Sequence, residues 1–161
     1  MSDNYLKLIP FDMNFVPDER SHQEAINYLE QLTPGGGEVE IEVYSKVTFI
    51  DQGQNLEEII CPSCEASLKN DPFSEEESDC EKLFCQIDEQ SENGELEESL
   101  IKMPCCNAAV KTTDLEFKWP AGFSKFELSA LNPDIEPLSK EQIAALSKIL
   151  GCELREIWAH Y

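Results

Sequence analysis

Two short cysteine turns constrain this chain more than any other feature. Cys61-Pro62-Ser63-Cys64 lies well upstream of Pro104-Cys105-Cys106-Asn107-Ala108. Each turn follows an apolar, strand-like run, Leu56 to Ile60 before the first and Leu100 to Met103 before the second. Thiol-bearing turns at the ends of two strands are how a zinc ribbon assembles its metal site. The pattern predicts a structural zinc ion held by Cys61, Cys64, Cys105 and Cys106. The second turn departs from a regular one, because Met103 stands where a first cysteine would be. Cys106 then takes the place of Cys64, and Cys105 takes that of Ser63. Two other readings stay open at this point. Cys106 joins a different fourth ligand, with Cys80, Cys85 and His22 as candidates, or the thiols are reduced core cysteines without metal. A Cys61/Cys64 redox pair fits poorly, since such a pair opens a long helix and this segment reaches Asp71-Pro72 after six residues.

A shell of four thiolates leaves no position for water and little Lewis acidity. The expected role of the metal is therefore to hold strand ends together and contribute folding energy. No P-loop, GxSxG, HExxH or dinucleotide fingerprint occurs. The Gly35-Gly36-Gly37 run follows a helix and precedes a strand, the reverse order to a phosphate loop. His22 is read as a surface residue of the first helix and His160 as a packed or capping residue. The chain is thus expected not to be an enzyme.

Charge narrows the partners. There are 33 acidic residues against 12 basic ones, a net charge of -21. Such a chain repels phosphates, which disfavours direct nucleic-acid binding. No apolar run approaches the roughly 20 residues of a membrane span. Met1-Ser2-Asp3-Asn4 has neither a basic nor an apolar region, so no secretory signal is expected. The expectation is a cytoplasmic protein whose seven cysteines stay reduced.

Periodicity sets out the fold. Tyr5 to Ile9 reads as a strand stopped by Pro10, and a helix begins near Asp18 or Ser21 with Ala25, Ile26, Leu29 and Leu32 at helical spacing. Val39, Ile41 and Val43 alternate with Glu38, Glu40 and Glu42, a half-buried strand that Val47 to Ile50 continues past a kink near Ser45. Between Asp71 and Glu98 there are twelve acids and one lysine. Here Ser74-Glu75-Glu76-Glu77 has the form of a capping box, opening an acidic helix with Cys80, Leu83, Phe84 and Ile87 on one face. Val110 to Thr113 with Leu115, Phe117 and Trp119 suggest another strand or extended pair. Phe126, Leu128 and Ala130 mark a strand, Ser139-Lys140-Glu141-Gln142 a second capping box, Gly151 its helix C-cap and Leu154 to Tyr161 a last strand.

The two ends mirror each other as strand, connector, helix, strand. Two such βαβ-like halves predict an α+β chain, a ferredoxin-like α/β sandwich spanning 1–161. A zinc-ribbon-like cysteine module over 56–120, containing the acidic helical segment 71–98, is inserted between them. The rival is a less symmetric α+β sheet that the ribbon strands extend. Trp119, Phe123, Phe126 and Trp158 suit core packing. Trp119, Phe123 and Trp158 are also candidate anchors for a partner, because aromatic side chains are frequent at interfaces. The resulting expectation is a zinc-stabilised protein that binds a basic protein partner, in the manner of an immunity protein or inhibitor. An enzyme with an unrecognised cleft and an acidic mimic of nucleic acid are the alternatives.

The ordered set Tyr5 to Pro10, Phe49 to Asn55, Cys61-Pro62-Ser63-Cys64, Pro104-Cys105-Cys106, Leu115, Trp119-Pro120-Ala121-Gly122-Phe123 and Ile157-Trp158-Ala159-His160-Tyr161 resembles a family of small uncharacterised bacterial proteins. The resemblance covers most of the chain outside the acidic segment. It implies a bacterial, cytosolic setting and carries no activity. Family members usually have Gly after the second turn, where this chain has Asn107, a residue that also tolerates a left-handed backbone.

Overall fold

A computed structural model describes residues 2–161. Met1, which begins both the N-terminal stretch read above for a signal and the 1–161 span, lies outside the described residues. In chain order the regular elements are β1 (Asn4–Pro10), α1 (His22–Leu32), β2 (Val39–Ile50), β3 (Glu58–Ile60), β4 (Ser67–Lys69), α2 (Asp79–Glu92), β5 (Leu100–Lys102), β6 (Ala109–Lys111), β7 (Glu116–Lys118), β8 (Gly122–Leu131), α3 (Lys140–Leu150) and β9 (Leu154–His160). The chain is α+β, with antiparallel pairing at every strand register described. It divides into two compact units. One comprises the described residues up to Ser45 with Ser124–Tyr161, and the other is Lys46–Phe123.

The first unit carries the four-stranded sheet, ordered β2-β8-β1-β9. β1 pairs antiparallel with β8, Leu8 opposite Leu128, and with β9, Lys7 opposite Ile157. Period-two alternation puts Leu6 and Leu8 of β1 with Phe126, Leu128 and Ala130 of β8 in one core. Ala25 and Leu29 of α1, and Leu146 and Leu150 of α3, close the same core. These are the apolar positions that recur at helical spacing, so each helix buries one stripe.

The local stops follow the sequence signals. Ser139 accepts from the Gln142 N–H at 3.1 Å, and the Gln142 side chain accepts from the Ser139 N–H at 2.9 Å. Gly151 ends α3 at φ 76°, a conformation that glycine adopts without a Cβ penalty. Val39–Ile50 is one continuous strand through Ser45. The strand after Ala130 breaks at Asn132 and Asp134, both left-handed at φ 43° and 51°.

The second unit is built from small pieces. β3 pairs with β4 on one side and β7 on the other, while β5 and β6 form a separate hairpin. α2 supplies Cys80, Leu83 and Ile87 to the interior. Phe49 is the hub of an aromatic group, with ring centroids 5.4 Å from Phe84 and 5.5 Å from both Phe117 and Phe123.

Two expectations are corrected here. α2 starts at Ser78, not at Ser74: the Glu81 N–H donates to Ser78 Oγ at 3.1 Å. Ser78-Asp79-Cys80-Glu81 offers the same Ser-x-x-Glu form, and the first side chain that α2 buries is Cys80. Ser74 instead accepts from the Glu76 N–H in a local turn at 3.2 Å. The strand expected over Val110 to Thr113 is also shorter, because Thr112–Asp114 forms a turn of 3-10 helix. Thr112 is buried there and its hydroxyl donates to Gln90 Oε1 at 2.6 Å.

Phe126 is fully buried at the centre of the first unit. Phe126→Ala is expected to cost about 3–5 kcal/mol, read by urea unfolding. A loss below about 1 kcal/mol contradicts this placement of the core.

Candidate metal centre

Each cysteine turn is the tip of a hairpin. In the first, the Cys61 N–H donates to Ala66 O at 2.9 Å, and the Glu65 N–H donates back to Cys61 O at 2.9 Å. In the second, the Met103 N–H donates to Ala108 O at 2.9 Å, and the Asn107 N–H donates to Met103 O at 2.8 Å. The flanking strands repeat the correspondence. Ile59 pairs with Leu68 and Ile101 with Val110, with Ile59 and Ile101 both buried. Just outside the strands, the Asn70 N–H reaches Glu57 O and the Thr112 N–H reaches Ser99 O. The two hairpins are thus the same structure used twice, and Pro62/Pro104, Cys64/Cys106, Ala66/Ala108 and Lys69/Lys111 are shared between them.

The last turn residue is left-handed in both, Glu65 at φ 62° and Asn107 at φ 61°. Asn is suited to that region and Glu is not, so the first turn carries backbone strain. A tight turn of this kind aims the side chains at its first and fourth positions toward one point. In the first hairpin these are Cys61 and Cys64. In the second they are Met103 and Cys106. Met103 is fully buried, an apolar counterpart of the buried Cys61. The fourth sulfur comes from the neighbouring position, Cys105.

The geometry closes despite that substitution. Cys61 Sγ lies 3.8 Å from Cys106 Sγ, and Cys64 Sγ lies 3.5 Å from Cys105 Sγ. All four sulfurs are within 4.8 Å of one another. Metal–sulfur bonds of about 2.3 Å in a tetrahedron require sulfurs about 3.8 Å apart. The observed pairs bracket that edge, so the four residues fit a tetrahedral thiolate-binding metal. Cys61 is buried, whereas Cys64, Cys105 and Cys106 are exposed.

The thiols are electrostatically coupled. Burial pushes the Cys61 thiol up, but the backbone N–H groups of Cys64 and Ser63 and the thiols of Cys105 and Cys64 outweigh it and bring it down to about 7. Cys105, although exposed, is pushed up to about 12, first by the loss of water around its sulfur and then by the Cys64, Cys61 and Cys106 sulfurs. Ionised sulfurs this close repel one another, and a bound cation is what allows several of them to be thiolates together.

The alternative ligands lie elsewhere. Cys80, Cys85, Cys152 and His22 are not members of the four-sulfur group. Cys80 is buried in α2, and burial pushes its thiol up to about 11. Cys85 is exposed near Glu77. His22, expected at the surface, is part-buried: its ring packs against Phe126 at 5.4 Å and its Nε2 lies 3.1 Å from Pro17 O. His160 pairs through Nδ1 with Asn4 Oδ1 at 2.7 Å. Of the aromatic candidates, Trp119 is 40% exposed and Phe123 is buried beside Phe49. Trp158 is half-buried in the first unit, with its ring N–H donating to Glu156.

No helix among the described residues is long and apolar enough to cross a membrane. No protein-family model, curated protein or solved structure matches the chain.

Three outcomes follow from the turns and their sulfurs. Glu65→Gly relieves the left-handed strain and is expected to raise stability by about 1 kcal/mol, read by unfolding of the metal-loaded protein. Protons compete with metal for the sulfurs, so metal occupancy is expected to fall as the pH is lowered. A titration with a coloured chelator measures this. Cys64→Ser is expected to weaken metal binding at least as much as Cys105→Ser, because Cys64 sits at a regular turn position. The opposite order contradicts the assignment of Cys105 as the displaced ligand.

Proposed function

We propose that this chain is a non-enzymatic protein-interaction protein, of an immunity or inhibitor type, in which a structural zinc ion holds the cysteine hairpins together. The observation that carries this reading is the ligand set: four sulfurs at tetrahedral spacing, contributed two by two from two hairpins. A tetrahedral all-sulfur set selects zinc or iron, and zinc is the usual structural choice. Four protein ligands complete its shell, which suits a clasp better than a catalyst.

The fold supports the same reading. The order β2-β8-β1-β9, with a helix in each βαβ half, is the order of a ferredoxin-like sandwich. The zinc-ribbon-like unit is inserted in the connection between the halves. A net charge of -21 favours a basic protein as the partner and a setting that excludes nucleic acid. The seven free cysteines accord with a reducing, cytoplasmic setting.

Elemental analysis of the purified protein, with a count of reactive thiols, tests the metal. One zinc per chain, with Cys61, Cys64, Cys105 and Cys106 protected until a chelator is added, is expected. A protein that folds without metal and titrates all seven cysteines at once contradicts it. Capture from a host lysate on the immobilised protein tests the interaction. The expected partner is basic and is released by raised salt. Retention of no such protein removes the interaction reading while leaving the zinc site intact.

A further inference from the structure

β2 is an end strand of the four-stranded sheet. Its first half shows strict alternation. Val39 and Ile41 turn toward the helix-covered core, where they pack as partly buried residues. Val43 continues that face and is 53% exposed. Glu38, Glu40 and Glu42 stand on the other face, all exposed. Beside the edge, between β2 and the start of α1, runs an open groove of about 700 Å³. Its apolar lining is Val16, Pro17, Ile26, Val39, Ile41 and Val43, and Glu19, His22 and Glu40 complete the wall. Val16 at its rim is 38% exposed.

An unpaired strand edge beside an apolar groove is the geometry that accepts an added strand. The incoming backbone pairs with the edge, and alternate side chains enter the groove. Exposed edges invite uncontrolled pairing, and charged side chains along them are the usual protection. The glutamates of β2 do this against a second copy. Two β2 edges paired antiparallel bring glutamates close to glutamates on one face, which is destabilising. The same glutamates favour an opposite occupant. From Val16 to Val43 there are seven acids and one base. That base, Arg20, is engaged with Asp18 at 2.9 Å.

We infer that the β2 edge and its groove form a docking site for an extended segment of a partner protein in which apolar residues alternate with lysine or arginine. The apolar residues fill the groove beside Val39, Ile41 and Val43. The basic ones lie on the opposite face, across from Glu38, Glu40 and Glu42. This rests on the interaction reading above and assigns that reading a place and a partner chemistry.

The test uses the full-length, metal-loaded protein and a fluorescent peptide in which lysine alternates with valine. Binding is read by anisotropy, and its position by amide shifts in an NMR spectrum. The peptide is expected to shift amides of residues 39–43 and of the start of α1, with affinity that falls as salt rises. Methylating the peptide backbone nitrogens on alternate residues removes the pairing edge and is expected to abolish binding. Val43→Asp places a charge on the groove wall and is expected to weaken binding about tenfold or more. Glu40→Lys is exposed, does not touch the core, and is expected to weaken it as well, which guards against a misfolded groove variant. Equal binding by wild type and Val43→Asp overturns the proposal. So does an unchanged affinity after methylation, a block peptide with lysines and valines segregated binding as tightly, or self-association of the wild type through these amides. A lysate partner retained equally by wild type and Val43→Asp overturns this location but leaves the interaction reading standing, whereas no partner on either removes that reading.

Discussion

The convergence of four sulfurs to within 4.8 Å of one another, where thiolates would repel, is the constraint on which the second unit turns. Three-residue strands cannot support themselves, since a lone two-stranded hairpin is at best marginal in water. β5 and β6 pair only over Leu100 to Lys102 and Ala109 to Lys111. β3 and β4 are as short, though β7 backs β3. A metal cation bound there would convert that repulsion into bonds joining the tips of both hairpins, with its binding free energy becoming folding free energy. Around that clasp the unit has a modest apolar interior, in which Ile59, Ile101, Leu83 and Ile87 are buried and Phe49 gathers three other aromatic rings.

The repeated hairpin explains how an irregular motif can still close a site. The backbone of the second turn follows the first, bond for bond, although Met103 replaces the first cysteine. A buried methionine keeps the packing that a buried cysteine supplies in the first hairpin. The sulfur missing at that position is supplied two residues on by Cys105, which makes Cys105 and Cys106 a vicinal pair in the four-sulfur group. Glu65 and Asn107 sit at the same left-handed position, and their different tolerance for it marks the first turn as the more strained of the two.

Much of this was legible from residues alone. The alternation of Leu6/Leu8 and Phe126/Leu128/Ala130, the helical stripes of α1 and α3 and the Ser139 box each state one local preference that burial then reinforces. The cysteine positions also came through, because a turn with two residues between thiols has few geometries. Other features were hidden for physical reasons. Ser74 and Ser78 both head a Ser-x-x-Glu sequence, and only the burial of Cys80, Leu83 and Ile87 selects the second as the helix start. Ser67–Lys69 is too short and too polar to announce a strand. The duplication of the hairpin is carried by few shared residues, with Ile59/Ile101 and Ala66/Ala108 among them, and it is visible once both turns are aligned on Cys64 and Cys106. His22 looked like a surface residue because the sequence does not show that its ring meets Phe126.

The acidity is not confined to the helical segment that first displays it. Residues 46–123 carry 18 acids and six bases, and the remaining residues carry 15 acids and six bases. Both units therefore present a negative field to any partner, which speeds and orients encounter with a basic one. In the proposed reading a closed metal shell would hold the hairpins, and this field would attract the partner. The most direct test of the first is X-ray absorption at the metal edge of the protein as purified. Zinc with four sulfurs at about 2.3 Å is the predicted result. A shell containing nitrogen or oxygen ligands contradicts a site closed by Cys61, Cys64, Cys105 and Cys106.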